Sequence, residues 1–334
     1  MKYTTLGRSQ MTVSKICLGT MFFGNRTEPA EAFRIMDRCL ELGINFFDTA
    51  NMYGGPGNRG RSEEIIGEWF AQGGGRRDQV VLATKVYGNM LDASAPNEDQ
   101  GISAYKVRRH AADSLRRLQT DHIDLYQVHH FVRDISPEEF WGTFDRLVDD
   151  GKVLYMGSSN FPGWGLAAFQ LRAWQRGSVG LVSEQTQYNL LNRYPELEVC
   201  PAALAFGVGV LAYMPLAGGL LTGKLRSDEG SRTRQVEQEY GIHLSESSEQ
   251  FGGFSELCRE IGEPEHIVAT AWTLMNPAVH AAIVGIRTVE HLDNIQRAAE
   301  LELSPEIMRR LDALFDINKG RPLRPGPAPE AYSW

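Results

Sequence analysis

The sequence predicts an α/β chain folded as a (β/α)8 barrel, and three observations predict it. Eight short β-rich runs alternate with longer segments of helical periodicity, the runs are mostly apolar on both faces, and the alternation repeats along the chain. The runs are residues 16–19, 44–48, 80–85, 123–129, 153–158, 181–185, 208–213 and 282–285. Between them, 29–42 carries Phe33, Met36 and Leu40 at helical spacing, and 103–118, 137–150 and 165–176 follow the same pattern. Ser62-Glu63-Glu64 and Ser136-Pro137-Glu138 read as helix starts, Gly43 and Gly151 as stops. A parallel sheet covered by helices follows, and eight units favour closure over an open sheet. Residues 3–6 and 11–15 flank a glycine-containing turn and predict a small N-terminal β-hairpin ahead of the first barrel strand. The polar stretch 222–249 and the Pro- and Gly-rich tail 319–334 interrupt the rhythm. In a barrel the active site lies at the C-terminal strand ends. Both stretches are therefore candidate lids over the mouth, the tail included, with plain surface loops as the alternative. Residues 1–334 are assigned to one domain.

Composition narrows the function. A hydrophobic fraction of 42% belongs to a packed protein, and a formal net charge of −8 argues against a nucleic-acid partner, which needs a basic face. Cys17, Cys39, Cys200 and Cys258 are scattered without a CxxC pair, so neither a disulfide framework nor a metal site is expected, and a reducing cytoplasm suits them. The opening MKYTTLGRSQ lacks the apolar core of a signal peptide, and no apolar run approaches a membrane span.

Polar residues that end apolar strands carry the chemistry. Asp48 ends the second run, Tyr53 follows on the next loop, Lys85 ends the third and His129 the fourth. In a barrel these four converge on one mouth. Carbonyl reduction needs a proton donor beside a hydride source. A tyrosine with an ordinary pKa near 10 serves better when an ammonium lowers that value, and an acid keeps the ammonium charged. A neutral histidine orients the carbonyl. Taken singly, Asp48 reads as a turn former, Tyr53 as rim packing and each of His129 and His130 as structural, while Lys85 also suits a Schiff-base aldolase. Adjacent strand residues face opposite ways, so only one of the two histidines is expected at the mouth.

The stretches Gly43-Ile44-Asn45-Phe46-Phe47-Asp48-Thr49-Ala50-Asn51-Met52-Tyr53-Gly54, Arg61-Ser62-Glu63-Glu64-Ile65-Ile66-Gly67, Ala83-Thr84-Lys85, Leu125-Tyr126-Gln127-Val128-His129 and Gly157-Ser158-Ser159-Asn160-Phe161 resemble the signature of the aldo-keto reductases. The resemblance covers nearly the whole chain. It implies a TIM barrel, a soluble oxidoreductase, Tyr53 as acid, Asp48 and Lys85 tuning it, and His129, not His130, orienting the carbonyl of a small-molecule substrate. Trp69-Phe70-Ala71-Gln72-Gly73-Gly74-Gly75-Arg76-Arg77, Gly157-Ser158-Ser159-Asn160 and Pro195-Glu196-Leu197-Glu198-Val199 resemble a bacterial branch that includes reductases of nucleotide-linked ketosugars and broad-range reductases of aldehydes and sugars. The same resemblance admits a noncatalytic redox-sensing subunit of the kind that accompanies voltage-gated potassium channels. A homo-oligomer is left open.

No Gly-x-Gly-x-x-Gly follows an early strand, and the Walker-like Gly218, Gly223 and Lys224 are followed by Leu225 where Ser or Thr would hold magnesium. The resemblance instead implies a dinucleotide, NADP (as NADPH) ahead of NAD. Tyr213 would stack on the nicotinamide, and Ser159, Asn160 and Gln185 would hold its carboxamide. Backbone amides around Leu216 and Gly218, with Lys224, would meet the pyrophosphate, and Gly19, Thr20, Met21, Asp48, Met214, Pro215 and Ala217 would also line the cofactor pocket. Arg287 and Thr288, at a helix start after the last strand, would meet the 2′-phosphate, and Gly285, with His291 and Asn294 on that helix, would also bind the cofactor. Met214 stands where many relatives carry serine. Met21, Phe22, Phe23, Tyr53, Tyr87 and Phe131, with Tyr332 and Trp334 of the tail, are expected at the rim.

Overall fold

A computed structural model describes residues 1–90, 101–223 and 248–317. Among these residues, eight parallel strands close into a barrel. They are β3 (Ile16–Gly19), β4 (Phe46–Asp48), β5 (Val81–Val86), β6 (Ile123–Val128), β7 (Val153–Ser159), β8 (Leu181–Gln187), β9 (Gly209–Tyr213) and β10 (Val279–Gly285). Their order is β10-β3-β4-β5-β6-β7-β8-β9, with β10 pairing both β3 and β9. The expected hairpin is present as β1 (Tyr3–Thr5) and β2 (Thr12–Ser14). Leu6 and Val13 of this unit pack with Cys17, Phe46, Ala83, Leu125 and Leu211, which fill the barrel interior.

The helices form the outer layer because each presents one apolar stripe to the strands. They include α1 (Pro29–Glu41), α2 (Arg61–Phe70), α3 (Ala104–Leu118), α4 (Pro137–Asp149) and α5 (Gly163–Gln175). Then come α6 (Val199–Phe206), α7 (Ser248–Ile261), α8 (Glu265–Met275), α9 (Gln296–Glu300) and α10 (Pro305–Leu314). Ser103 and Ser136 cap α3 and α4 by accepting the N–H groups of Lys106 and Glu139.

Three departures from the sequence expectations have local causes. Strand β4 begins at Phe46, not residue 44, because the side chain of Asn45 is drawn to the hairpin: it accepts from Ser14 N at 2.8 Å and donates to Thr12 O at 3.1 Å. Strand β10 begins at Val279, before residue 282; His280 broke the apolar pattern there, yet its Nδ1 lies 2.9 Å from Thr5 O of the hairpin. The helix expected to contain His291 and Asn294 is a short 3-10 turn (Val289–Leu292), after which Asn294 takes a left-handed φ of 60° and separates it from α9. Lys224, Tyr332, Trp334 and the tail expected over the mouth lie outside the described residues, as does most of 222–249.

Candidate active site

The C-terminal ends of β4, β5 and β6 stand side by side, and period-two alternation points Ala83, Lys85, Leu125 and Gln127 into the lumen while Thr84 points out. Lys85 is fully buried. Its Nζ donates to Asp48 Oδ2 at 2.5 Å, Thr49 O at 2.9 Å and Tyr53 Oη at 3.3 Å, and stands 4.9 Å from the centre of the Tyr53 ring. The second oxygen of Asp48 accepts from Gln185 Nε2 at 2.8 Å and Gln127 Nε2 at 3.0 Å. Four strands therefore hold one carboxylate and one ammonium.

Tyr53 comes from a loop, and α2 fixes that loop. The Tyr53 carbonyl accepts from Gly60 N at 3.0 Å and Ser62 N at 3.3 Å. Gly54 has φ 135°, and a side chain there would run into Asn58 O, so the turn after Tyr53 requires glycine. Helix α2 is itself tied down: Ser62 Oγ donates to Thr20 O at 3.0 Å, and fully buried Glu63 accepts from Thr84 Oγ1 at 2.6 Å and Arg117 Nε at 2.8 Å.

The electrostatics follow from burial and charge. Burial pulls the Lys85 ammonium down, but Asp48 and Tyr53 outweigh it and hold its pKa above the ordinary value. Burial raises Tyr53; Lys85 pulls the other way and Asp48 adds to the rise. The lysine thus acts in the expected direction, but burial outweighs it and the tyrosine pKa is raised, not lowered. Burial, Lys85 and His130 hold His129 well below the usual histidine range, so its ring is neutral near pH 7.

The two histidines correct the sequence reading. Strand β6 ends at Val128, so His129 and His130 no longer alternate; their rings stack 4.7 Å apart, nearly parallel at 3°. His129 meets the Tyr53 ring edge-on at 5.9 Å, while His130 lies against Tyr87 at 4.9 Å and within 3.4 Å of Asn160 Nδ2. Among the described residues His129 Nδ1 is buried without a partner.

Ser159, Asn160 and Gln185 come together beside this group. Ser159 Oγ donates to Gln185 O at 2.9 Å, Asn160 Nδ2 donates to His129 O and Ser159 Oγ at 3.0 Å each, and Tyr213 Oη donates to Asn160 Oδ1 at 3.0 Å. This set offers both donors and acceptors, as a carboxamide requires. After Tyr213, Met214 and Ala217 have positive φ, as do Gly218 and Gly219, so backbone and not bulk lines the turn before buried Leu220. Pro215 is buried and Leu216 partly exposed. That chemistry suits a nicotinamide dinucleotide.

Gly19 and Gly285 are register partners at the ends of β3 and β10. Thr20 is buried on Asp48 O, and Met21 is half exposed. Arg287, Thr288 and His291 are partly exposed around the 3-10 turn, with Arg287 N donating to His291 Nδ1 at 3.4 Å, whereas Asn294 is exposed beyond it. The Val289 N–H is already taken by Glu31 Oε1 at 2.8 Å. Phe23 and Phe131, expected at the rim, are core residues; Phe131 packs edge-on against Phe161, Trp164 and Phe169, and half-exposed Trp164 covers it. Sequence reasoning passed over Gln127, although a polar residue two positions before His129 in an apolar strand was a lumen signal. It also passed over Glu63 and Glu184, both fully buried in the layer between strands and helices.

Among the described residues no helix is long and apolar enough to cross a membrane, and no group of three or more His, Cys, Asp or Glu side chains could hold a metal ion. The chain is 51% identical to the uncharacterized oxidoreductase YrpG of Bacillus subtilis (strain 168), with 100% of both chains covered. It is 29% identical to a probable voltage-gated potassium channel subunit beta of Oryza sativa subsp. japonica, over 96% of this chain and 98% of the relative. It is also 29% identical to Protein tas of Escherichia coli (strain K12), over 95% of this chain and 98% of the relative. The model of the Aldo/keto reductase family matches residues 15–316, and the chain belongs to that family of oxidoreductases.

Proposed function

We propose that residues 1–334 act as one barrel domain that reduces a small aldehyde or ketone, sugar-derived carbonyls included, with NADPH. The observation that carries this reading is the Lys85 ammonium shared between Asp48 and the Tyr53 hydroxyl. When bound, the nicotinamide supplies hydride to the carbonyl carbon. The Tyr53 hydroxyl gives its proton to the carbonyl oxygen, and Lys85 stabilises the tyrosinate left behind. Asp48 keeps Lys85 charged and in place. Neutral His129, protonated on Nε2, donates a hydrogen bond to the same oxygen, while Ser159, Asn160 and Gln185 hold the carboxamide so that one ring face meets the substrate.

Two other readings fit less well. An imine-forming lysine must give up its proton, and Lys85 is held in its charged form. A purely sensing subunit, the reading raised by the potassium-channel relatives, does not require an intact proton-donating group at the mouth. Arg287 and Thr288 supply side chains for the 2′-phosphate; Glu31 already holds the Val289 amide, so the guanidinium carries most of the preference for NADPH over NADH. The four cysteines are buried, and a reducing cytoplasm suits them.

Tyr53→Phe keeps the ring and removes the proton donor, so kcat for carbonyl reduction should fall by roughly 10²–10⁴-fold with NADPH binding retained. Near-wild-type turnover in stopped-flow NADPH oxidation would remove Tyr53 from the role. His129→Ala should slow turnover far more than His130→Ala; steady-state kinetics giving the reverse ranking would move the role to His130. Arg287→Ala should weaken NADPH binding by about ten- to a hundredfold, the size of one charge-assisted phosphate contact. NADH binding should hardly change. Fluorescence titration showing equal losses for both cofactors, or none, would exclude Arg287 as the phosphate reader.

A further inference from the structure

A second polar cluster lies behind residues 159–161, and none of the roles above uses it. Glu184 precedes Gln185 on β8, and strand neighbours face opposite ways. Gln185 reaches Asp48 in the lumen, so Glu184 turns outward into the layer between strands and helices, where it is fully buried. Its Oε1 accepts the Phe161 N–H at 2.9 Å, and its Oε2 is 2.5 Å from Ser158 Oγ, which lies 3.3 Å from Ser183 O. Burial, opposed by Ser158 and the amides of Phe161 and Asn160, pushes the carboxyl up to about 8. Both carboxyl oxygens have a partner in this layer. Ser158 Oγ donates to Oε2 and lies 3.3 Å from Ser183 O, and Oε1 receives Phe161 N–H.

An apolar residue would fill this layer without the cost of burying a polar group. What the acid supplies is a fixed backbone at a strained point. Asn160 has a φ of 58°, a left-handed conformation that asparagine enters more readily than most residues but that its surroundings must still hold in place. Its own N–H donates to Gln185 O at 2.9 Å, and the next N–H, that of Phe161, donates to Glu184. The two peptide planes around Asn160 are thus clamped by consecutive residues of β8. Rotation of either plane would carry the Asn160 amide away from His129 O, Ser159 and Tyr213 together.

We propose that Glu184 is a positioning residue that acts through the Asn160–Phe161 backbone to aim the Asn160 amide at the nicotinamide carboxamide. This rests on the reading that Ser159, Asn160 and Gln185 hold that carboxamide. The test compares Glu184→Ala, Glu184→Gln, Asn160→Ala and the Glu184→Ala/Asn160→Ala double variant by NADPH titration and steady-state kinetics. Glu184→Ala should raise the NADPH Kd and KM by about tenfold, the size of one lost hydrogen bond, with kcat at saturating cofactor changed less. Glu184→Gln should restore binding, since its carbonyl oxygen still accepts from Phe161 and its N–H still reaches Ser158. The double variant should bind no worse than the weaker single one, because both changes remove the same contact. Additive losses, wild-type binding by Glu184→Ala, or failure of Glu184→Gln to rescue would overturn the role of Glu184 while Asn160→Ala still weakens binding. Unchanged binding by Asn160→Ala would instead overturn the carboxamide reading and the inference with it. If Glu184→Ala does not fold, Glu184→Asp, one methylene too short to reach both partners, is read in the same way.

Discussion

The buried pair of Lys85 and Asp48 is the constraint on which the mouth of this barrel depends. Taking an ammonium and a carboxylate out of water costs several kcal/mol per ion, and the attraction between them offsets this only when the remaining donors and acceptors are also satisfied. Here they are: Thr49 O and Tyr53 take the other Lys85 protons, and Gln127 and Gln185 fill the second oxygen of Asp48. These partners come from β4, β5, β6, β8 and the loop after β4, so the pair is complete only when the barrel has closed. Removing one partner from a buried pair typically costs about 3–5 kcal/mol. The stability of the mouth and its chemistry are therefore carried by the same contacts.

A pattern of adjacent residues with divided labour runs around the mouth. Lys85 faces the lumen, while its neighbour Thr84 faces outward and binds Glu63, which anchors α2 and through it the Tyr53 loop. Gln185 faces inward to Asp48, while Glu184 faces outward and holds Phe161. Ser159 bonds the Gln185 carbonyl beside Asn160, while Ser158 bonds Glu184. In each case strand alternation assigns one residue to the site and the next to the loop that completes the site. The outward partners are polar in a layer filled mostly by apolar side chains, and their hydrogen bonds replace the water they lost.

Period-two and helical patterning made the barrel legible, because eight apolar runs each followed by an amphipathic segment leave few other ways to bury both faces. Asp48, Lys85 and His129 were legible for the same reason: a polar residue ending an apolar run has to face either a site or a partner. What sequence could not supply was the point where a strand stops. Strand β6 ends one residue before His129, and that alone stacks His129 on His130 instead of opposing them. A left-handed Asn294 broke the helix expected after β10. Phe23 and Phe131 were expected at the rim because aromatic residues near strand ends suit either place; packing by Phe161, Phe169 and Trp164 put Phe131 in the core. Gln127 and Glu184 each needed a partner from another strand before their roles could be read.

The central claim is that Lys85, held by Asp48, sets the acidity of Tyr53. Reduction needs the protonated tyrosine, so its rate falls as pH rises through the tyrosine pKa, and Lys85 pulls that pKa down against burial. The most direct measurement is the pH dependence of kcat for NADPH-driven carbonyl reduction in the wild type and in Lys85→Met. The account predicts much slower turnover in the variant and an alkaline limb moved to higher pH, since burial then acts on Tyr53 unopposed. Wild-type turnover with an unmoved limb, or a limb moved to lower pH, would contradict it.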